Sequence, residues 1–282
     1  MFGKLKFSDV EMMKEYVETY EKETIYLRKP LEDFSKGLNS GIFYGYMDQK
    51  ALKGMFYFSK KNALALHFSD LKVLGNLNVL KAIKLYKPKF IKGPKDQIEA
   101  IYKMLCRSVG EIKESSSILM SFEGHIQKCL PDKSYTVVDG DALTTEYSKF
   151  MENLFKDIKF FIEVEQYFGR QIKAINDILK ELRAMMKQGN YVLFLHGNQI
   201  VAQGLIEDET DEIGIIGGIY VSETFRKKGL GYLISCLLTA KILDRHKKAF
   251  LFVMENNLEA RQLYEKIGYT VKMQYTVLSI AY

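Results

Sequence analysis

The chain has 282 residues, a net charge of +6, 47% hydrophobic residues and 13% aromatic residues. That apolar content excludes a disordered chain and is enough for one or two packed domains. The longest apolar runs, such as 249–254, fall far short of the roughly 20 residues that cross a bilayer, and the N-terminus has no apolar signal core, so a cytoplasmic protein with no membrane partner is expected.

Three cysteines, Cys106, Cys129 and Cys236, lack C-x-x-C spacing, and the four histidines (His67, His125, His196, His246) are scattered. Neither a disulfide framework nor a metal site is expected. The basic residues form no single long run. The charge suits an anionic small molecule, and no nucleic-acid partner is expected.

In chain order, Ser8-Asp9-Val10-Glu11 has the form of a capping box, opening a helix with apolar Val10, Met13, Tyr16, Val17 and Tyr20. Strands are predicted over 42–46, 52–58 and 63–68. A helix over much of 70–84, a strand at 89–91, a helix over 96–105 begun after Gly93-Pro94, and a strand at 117–122 follow. The turn-rich stretch 123–140 places a boundary near 131, between domains 1–130 and 131–282. Beyond it the pattern predicts a strand at 135–138, helices over 142–158 and 170–187, and strands at 191–196, 199–207, 213–221 and 249–254. Helices over 229–245 and 257–267 and one or two strands over 269–280 complete the chain. The two halves repeat in element order, which predicts a tandem duplication of one α/β unit.

The strongest chemical signal is Ile219-Tyr220-Val221-Ser222-Glu223-Thr224-Phe225-Arg226-Lys227-Lys228-Gly229-Leu230-Gly231-Tyr232. A β-run ends, a basic turn follows, and a helix opens on two glycines. First-turn helix amides have no intrahelical partners and carry partial positive charge. Gly229 and Gly231 remove side chains that would keep a phosphate from those amides, and Arg226, Lys227 and Lys228 add charge. These features together describe a pyrophosphate cradle.

Arg226-x-x-Gly229-x-Gly231 resembles the R/Q-x-x-G-x-G/A motif of the GNAT superfamily of N-acetyltransferases. Downstream, Asn257-x-x-Ala260-x-x-x-Tyr264-Glu265-Lys266-Ile267-Gly268-Tyr269 is similar to that family's N-x-x-A-x-x-x-Y-E-K-x-G-F block, and the likeness covers about 135–282. It implies α/β (mixed α+β) architecture: two GNAT-like units, each a mixed, mostly antiparallel twisted sheet flanked by helices. It implies acetyl-CoA as cosubstrate, with backbone groups of Ile219, Tyr220 and Val221 pairing with the pantetheine arm. Gly217-Gly218 would form a bulge. Amides from about Lys227 to Tyr232, through Lys228, Gly229, Leu230 and Gly231, would hold the pyrophosphate. Asn257 would contact the CoA arm beside Ala260, and Tyr264 would protonate the departing thiolate. From spacing alone, Tyr264 also reads as a core aromatic and Asn257 as a helix cap.

The chain departs from some members where a catalytic glutamate stands 11 residues before the motif; here that place is Ile215. Glu207, Glu212, Glu255 or a water remain as the general base. The first half lacks the paired glycines and basic cluster, so it is expected not to bind CoA but to wall the acceptor pocket or form a homodimer surface. The leading expectation is acetyl transfer to a small-molecule or peptide primary amine. A CoA-binding regulatory or sensor module without turnover is the alternative, and a tRNA-dependent aminoacyl transferase is a third reading.

Overall fold

The computed structural model describes residues 1–38, 41–106, 108–126, 132–139, 159–169 and 174–282. Cys129 and the helix expected over 142–158 lie outside them. By internal packing the chain divides into two units, Met1–Met120 with Val253–Asn257 and Val271–Tyr282, and Ser121–Phe252 with Leu258–Thr270.

The first unit contains β1 (Phe2–Lys4), α1 (Val10–Thr19), α2 (Ile25–Ser35), β2 (Gly41–Asp48), β3 (Ala51–Ser59) and β4 (Ala63–Phe68). After them come α3 (Leu77–Tyr86), β5 (Phe90–Pro94), α4 (Lys95–Leu105) and most of β6 (Ile112–Phe122). Strands β1 to β4 are antiparallel neighbours, and β5 joins β4 in parallel. Alternate residues of β3 and β4 enter two different cores. Met55, Tyr57 and Ala65 pack with Met13, Val17, Leu27 and Leu31 from α1 and α2. Phe56, Phe58, Leu64 and Leu66 pack with Val79 and Ile83 of α3 and Ile98 and Ile101 of α4. Period-two alternation thus builds a three-layer unit, each fully buried large apolar side chain contributing roughly 1.5–3 kcal/mol.

The second unit repeats the plan. Its strands are β7 (Tyr135–Asp139), β8 (Tyr191–His196), β9 (Gln199–Glu209), β10 (Ile213–Val221) and most of β11 (Lys248–Met254). Its helices are α5 (Lys159–Tyr167), α6 (Ile175–Lys187), α7 (Leu230–Asp244) and α8 (Leu258–Ile267). Strands β7 to β10 are antiparallel and β11 joins β10 in parallel. Phe160, Phe161 and Val164 of α5 share a core with Tyr191, Leu193 and Tyr220. A Cβ at Gly204 or Gly214 would sit within 3 Å of Ile234 or Ile242, so both glycines let α7 lie close on the sheet.

In the last strand, β12 (Tyr269–Ile280), Tyr275–Ser279 pair antiparallel with β5. This pairing covers an edge that would otherwise expose unpaired backbone groups. The expected capping box is displaced, because Phe7–Asp9 form a 3₁₀ turn in which the Asp9 carboxylate accepts from the Lys6 amide. The helix expected over 70–84 is split at Gly75-Asn76, where Asn76 caps α3. The helix expected after Gly93-Pro94 begins at Lys95, and the same two residues end β5. Helix α7 buries Ser235, Cys236, Thr239 and Ala240 as well as Leu230, Ile234, Leu238 and Ile242.

Two buried groups in the first unit lead to measurable consequences. Pairing of β4 with β5 stops at Ala65↔Lys92, but β4 runs on to Phe68. There the Gln97 side chain accepts from the Phe68 amide at 2.9 Å and donates to the Phe68 carbonyl at 3.0 Å. Gln97→Met keeps the volume and strands both groups, so urea unfolding should show a loss of about 2 kcal/mol or more.

His67 is buried, its Nδ1 hydrogen-bonded to the Tyr16 hydroxyl at 2.7 Å, and burial lowers its pKa from 6.5 to about 4. Between those values the unfolded chain holds the extra proton, so stability falls as pH drops through the window, by about 3 kcal/mol for this group. Urea unfolding at pH 7 and pH 4.5 should show a smaller difference in His67→Phe than in the parent protein.

Candidate active site

In the second unit the pairing of β10 with β11 ends at Ile216↔Leu251, five residues before β10 ends at Val221. Against β9, the register of β10 shifts between Gly217 and Tyr220. Gly218 takes φ +58 there, and its carbonyl accepts from the Gln203 side chain at 3.2 Å. The bulge anticipated at Gly217-Gly218 is therefore present, and Ile219, Tyr220 and Val221 lie on the segment that has parted from β11.

The same bulge receives an acid. A Cβ on Gly217 would stand 2.3 Å from the Glu207 carboxyl carbon and 2.6 Å from each oxygen, so that carboxylate rests against the Gly217 backbone. A second register shift, between Ile215 and Ile216, leaves Glu207 between the residues opposite them, Asp208 and Ile206. Ile215 itself is buried. The other candidate acids differ. Glu255 has Gln274 on one oxygen and Lys95 at 3.8 Å from the other. Glu212 is exposed, its carbonyl accepting from the Lys248 amide. Nearby Glu209 is held by Arg245 at 2.8 Å and Lys247 at 2.9 Å; burial pushes its pKa up, but these cations outweigh it and the net shift is downward.

Beyond β10, Lys227 and Gly229 adopt left-handed backbone, φ +61 and +80, and α7 starts at Leu230. No side chain caps α7, whose Leu233 amide makes its bond to the Gly229 carbonyl at 3.1 Å. Nothing lies within 4 Å of a Cβ built on Gly229, and one on Gly231 would touch only Leu263 and Val221. The N-terminus of α7 is thus open on the Gly229 side. The corresponding turn in the first unit is filled from within: Asp70 accepts from the Lys72 amide at 2.8 Å, and Asn76 from the Asn78 amide at 3.0 Å.

The basic residues of the turn are placed less uniformly than the motif implied. Arg226 folds back, its Nε donating to the Val221 carbonyl at 3.2 Å and its guanidinium 5.6 Å over the Tyr167 ring. The Lys228 ammonium lies 4.7 Å over Phe225. Tyr220 is buried between Phe160 and Tyr167, and its hydroxyl donates to Glu163 at 3.4 Å.

Tyr264, on α8, is buried with its ring against Tyr269. Burial pushes its hydroxyl well above the ordinary tyrosine value, and the charges of Glu207 and Tyr167 add to that shift. Tyr264 and Glu207 are therefore electrostatic neighbours. Asn257 immediately precedes α8, its amide donating to Met254 at 2.9 Å, and Ala260 lies in the first turn of α8. Cys236 is buried, His196 flanks its hairpin, and Met254, the last residue of β11, is 46% exposed. Glu163 and Tyr167 were not anticipated. They lie on α5, which belongs to neither motif, and only packing brings them to Tyr220.

Residues 196–278 match the family described as FR47-like protein, spanning the bulge, the turn and α8. No curated protein matches the sequence. The chain has the fold of the GNAT superfamily. It is similar to a Drosophila protein at 10% identity and TM-score 0.70, covering 99% of this chain and 98% of that one. It is also similar to a GCN5-related N-acetyltransferase from Sphaerobacter thermophilus, at 12% identity, TM-score 0.65 and coverage of 99% and 94%. A tandem GNAT protein from the clavulanic acid biosynthesis pathway aligns at 10% identity and TM-score 0.55, covering 99% and 97%. The two-unit GNAT architecture accounts for the repeat of element order. Among the described residues no group of three His, Cys, Asp or Glu could hold a metal, and no helix is long and apolar enough to cross a membrane.

The glycine pair at the bulge can be tested directly. The atoms nearest a methyl at Gly217 are the flexible end of Glu207, whereas Gly218→Ala meets Leu205 at 2.2 Å and is strained at positive φ. Thermal unfolding should show Gly218→Ala destabilised by about 1–3 kcal/mol and Gly217→Ala much less.

Proposed function

We propose that the second unit is an acetyl-CoA-dependent N-acetyltransferase acting on a primary amine of a small molecule or peptide. The observation that carries this reading is one bulge. It parts β10 from β11, leads into an uncapped helix start, and holds the Glu207 carboxylate against Gly217. A cytoplasmic setting, with neither nucleic acid nor membrane as partner, belongs to the same reading.

The residues fit the cosubstrate. The parted edge at Ile219, Tyr220 and Val221 can take a pantetheine arm as an added strand. The amides from Lys227 through Lys228, Gly229, Leu230, Gly231 and Tyr232 form the anion end, where the left-handed Lys227 and Gly229 aim the backbone. Arg226 supports that end from β10 by holding the Val221 carbonyl. Asn257 and Ala260 flank the arm at the start of α8. Acetyl-CoA, when bound, supplies the activated acyl carbon.

A lysine-like amine is protonated below about pH 10.4 and attacks only after losing its proton. Glu207, exposed at the bulge, attracts the ammonium and passes its proton on, directly or through water. The pKa of the Tyr264 hydroxyl is raised, so the group stays protonated at neutral pH. A thiol has a pKa of about 8.5, so full transfer from a phenol above 10 is uphill by more than about 2 kcal/mol. Tyr264 therefore donates a hydrogen bond to the departing sulfur, and the amine's own proton completes the thiol.

Ile215 favours a second reading, a CoA-binding sensor without turnover, because the strand position that carries an acid in some members is apolar here. Calorimetry with acetyl-CoA, followed by thiol release over a panel of primary amines, separates the two. The enzyme reading expects release with at least one amine; binding without release for every amine supports the sensor. Tyr264→Phe should lower kcat about 100-fold while acetyl-CoA affinity changes less than about threefold, and Glu207→Gln should lower kcat and abolish the acidic limb of the pH profile. Gly229→Glu should remove measurable acetyl-CoA affinity, since its carboxylate would occupy the open anion site; retained affinity overturns the cradle.

A further inference from the structure

We propose that the first unit contains a binding site for an amphipathic organic anion, a single carboxylate on an apolar tail, in the cavity between the end of α2 and the first residues of β2 and β4. The cavity has a volume of about 610 Å³, inside the range of roughly 300–1,000 Å³ typical of small-molecule sites. Its wall is mainly apolar, built from Leu5, Phe34, Leu38, Ile42 and Phe58. Leu38 is 57% exposed there, and Phe7 beside Phe34 is 63% exposed. Large apolar side chains held open around a cavity mark a place where a ligand removes surface from water.

The charge of the lining selects the ligand. Lys4, at the end of β1, and Lys60, in the β3–β4 turn, both line the cavity, and among the described residues no Asp or Glu does. Neither lysine makes an ion pair among the described residues. Ser59 and Asn62 add polar groups beside Lys60. Two uncompensated ammonium groups at the rim of an apolar chamber complement one anionic head with a hydrocarbon body. A cationic ligand of the same shape would meet like charge.

The site is not the first unit's counterpart of the acetyl-CoA cleft. Ala63, the first residue of β4, lines the cavity, whereas the Gln97 seal closes on Phe68, about 17 Å along the strand. The two lie at opposite ends of β4. The inference is therefore independent of acetyl transfer.

Decanoate below its micellar concentration is the probe, titrated by calorimetry into the full chain beside decyltrimethylammonium, which has the same tail and the opposite charge. Saturable binding of one decanoate per chain is expected, with no saturable binding of the cation. The exposed pair K4E/K60E should weaken decanoate at least tenfold and bind decyltrimethylammonium instead. K4Q/K60Q should lose decanoate affinity without gaining the cation, which keeps the test decisive if charge reversal unfolds the protein. Equal binding of both amphiphiles by the parent chain, unchanged decanoate affinity in K4Q/K60Q, or no saturable decanoate binding overturns the proposal. So does self-association at the cavity that K4E/K60E alters while decanoate does not compete.

Discussion

A backbone N–H or C=O on a strand edge needs a partner, and in both units the parallel strand pair separates before the longer strand has ended. Pairing of β4 with β5 stops at Ala65, and pairing of β10 with β11 stops at Ile216. Each unit must then satisfy the remaining edge. The first does so with Gln97, whose amide makes both bonds that a neighbouring strand would have offered Phe68. The second bends instead, through the bulge at Gly217-Gly218, and leaves Ile219 to Val221 beyond the pairing with β11. One architectural problem is met by a side chain in one copy and by a bulge in the other.

The helix following each of these strands repeats the contrast. The first turn of α3 meets a side-chain oxygen, because Asn76 caps it where the second unit has Gly229, and Asp70 caps the 3₁₀ turn just before it. The start of α7 has no side-chain cap, and Gly229 provides both the left-handed turn and the empty space beside it. A carboxylate at that position would compete with any phosphate. The chemical difference between the copies thus rests on a few short polar residues, while their cores and strand orders stay alike.

The acid at the bulge illustrates how a side chain's position depends on register. Ile215 stands opposite Asp208 and Ile216 opposite Ile206, so Glu207 is the extra residue on β9. With no Cβ at Gly217, its carboxylate can lie directly on the neighbouring strand. Burial raises the proton affinity of Tyr264, and the charge of Glu207, 57 positions away in the sequence, adds to it. Position 215 carries no acid, and the fold brings one to the bulge from the adjacent strand.

Element order, the duplication, the glycine-opened helix and the block from Asn257 to Tyr269 were legible in the sequence, because each depends on periodicity or on short-range spacing. The alternation of β3 and β4 between two cores follows from that same period. Long-range pairing was not legible. The closing of β5 by β12, the seal of Gln97 on Phe68, the fold-back of Arg226 and the approach of α5 to Tyr220 all join residues far apart in the chain. Local spacing determines which backbone shapes a segment can take. Which side chain fills a strand edge or meets a hydroxyl is decided only when distant segments compete for the same burial and the same hydrogen bonds.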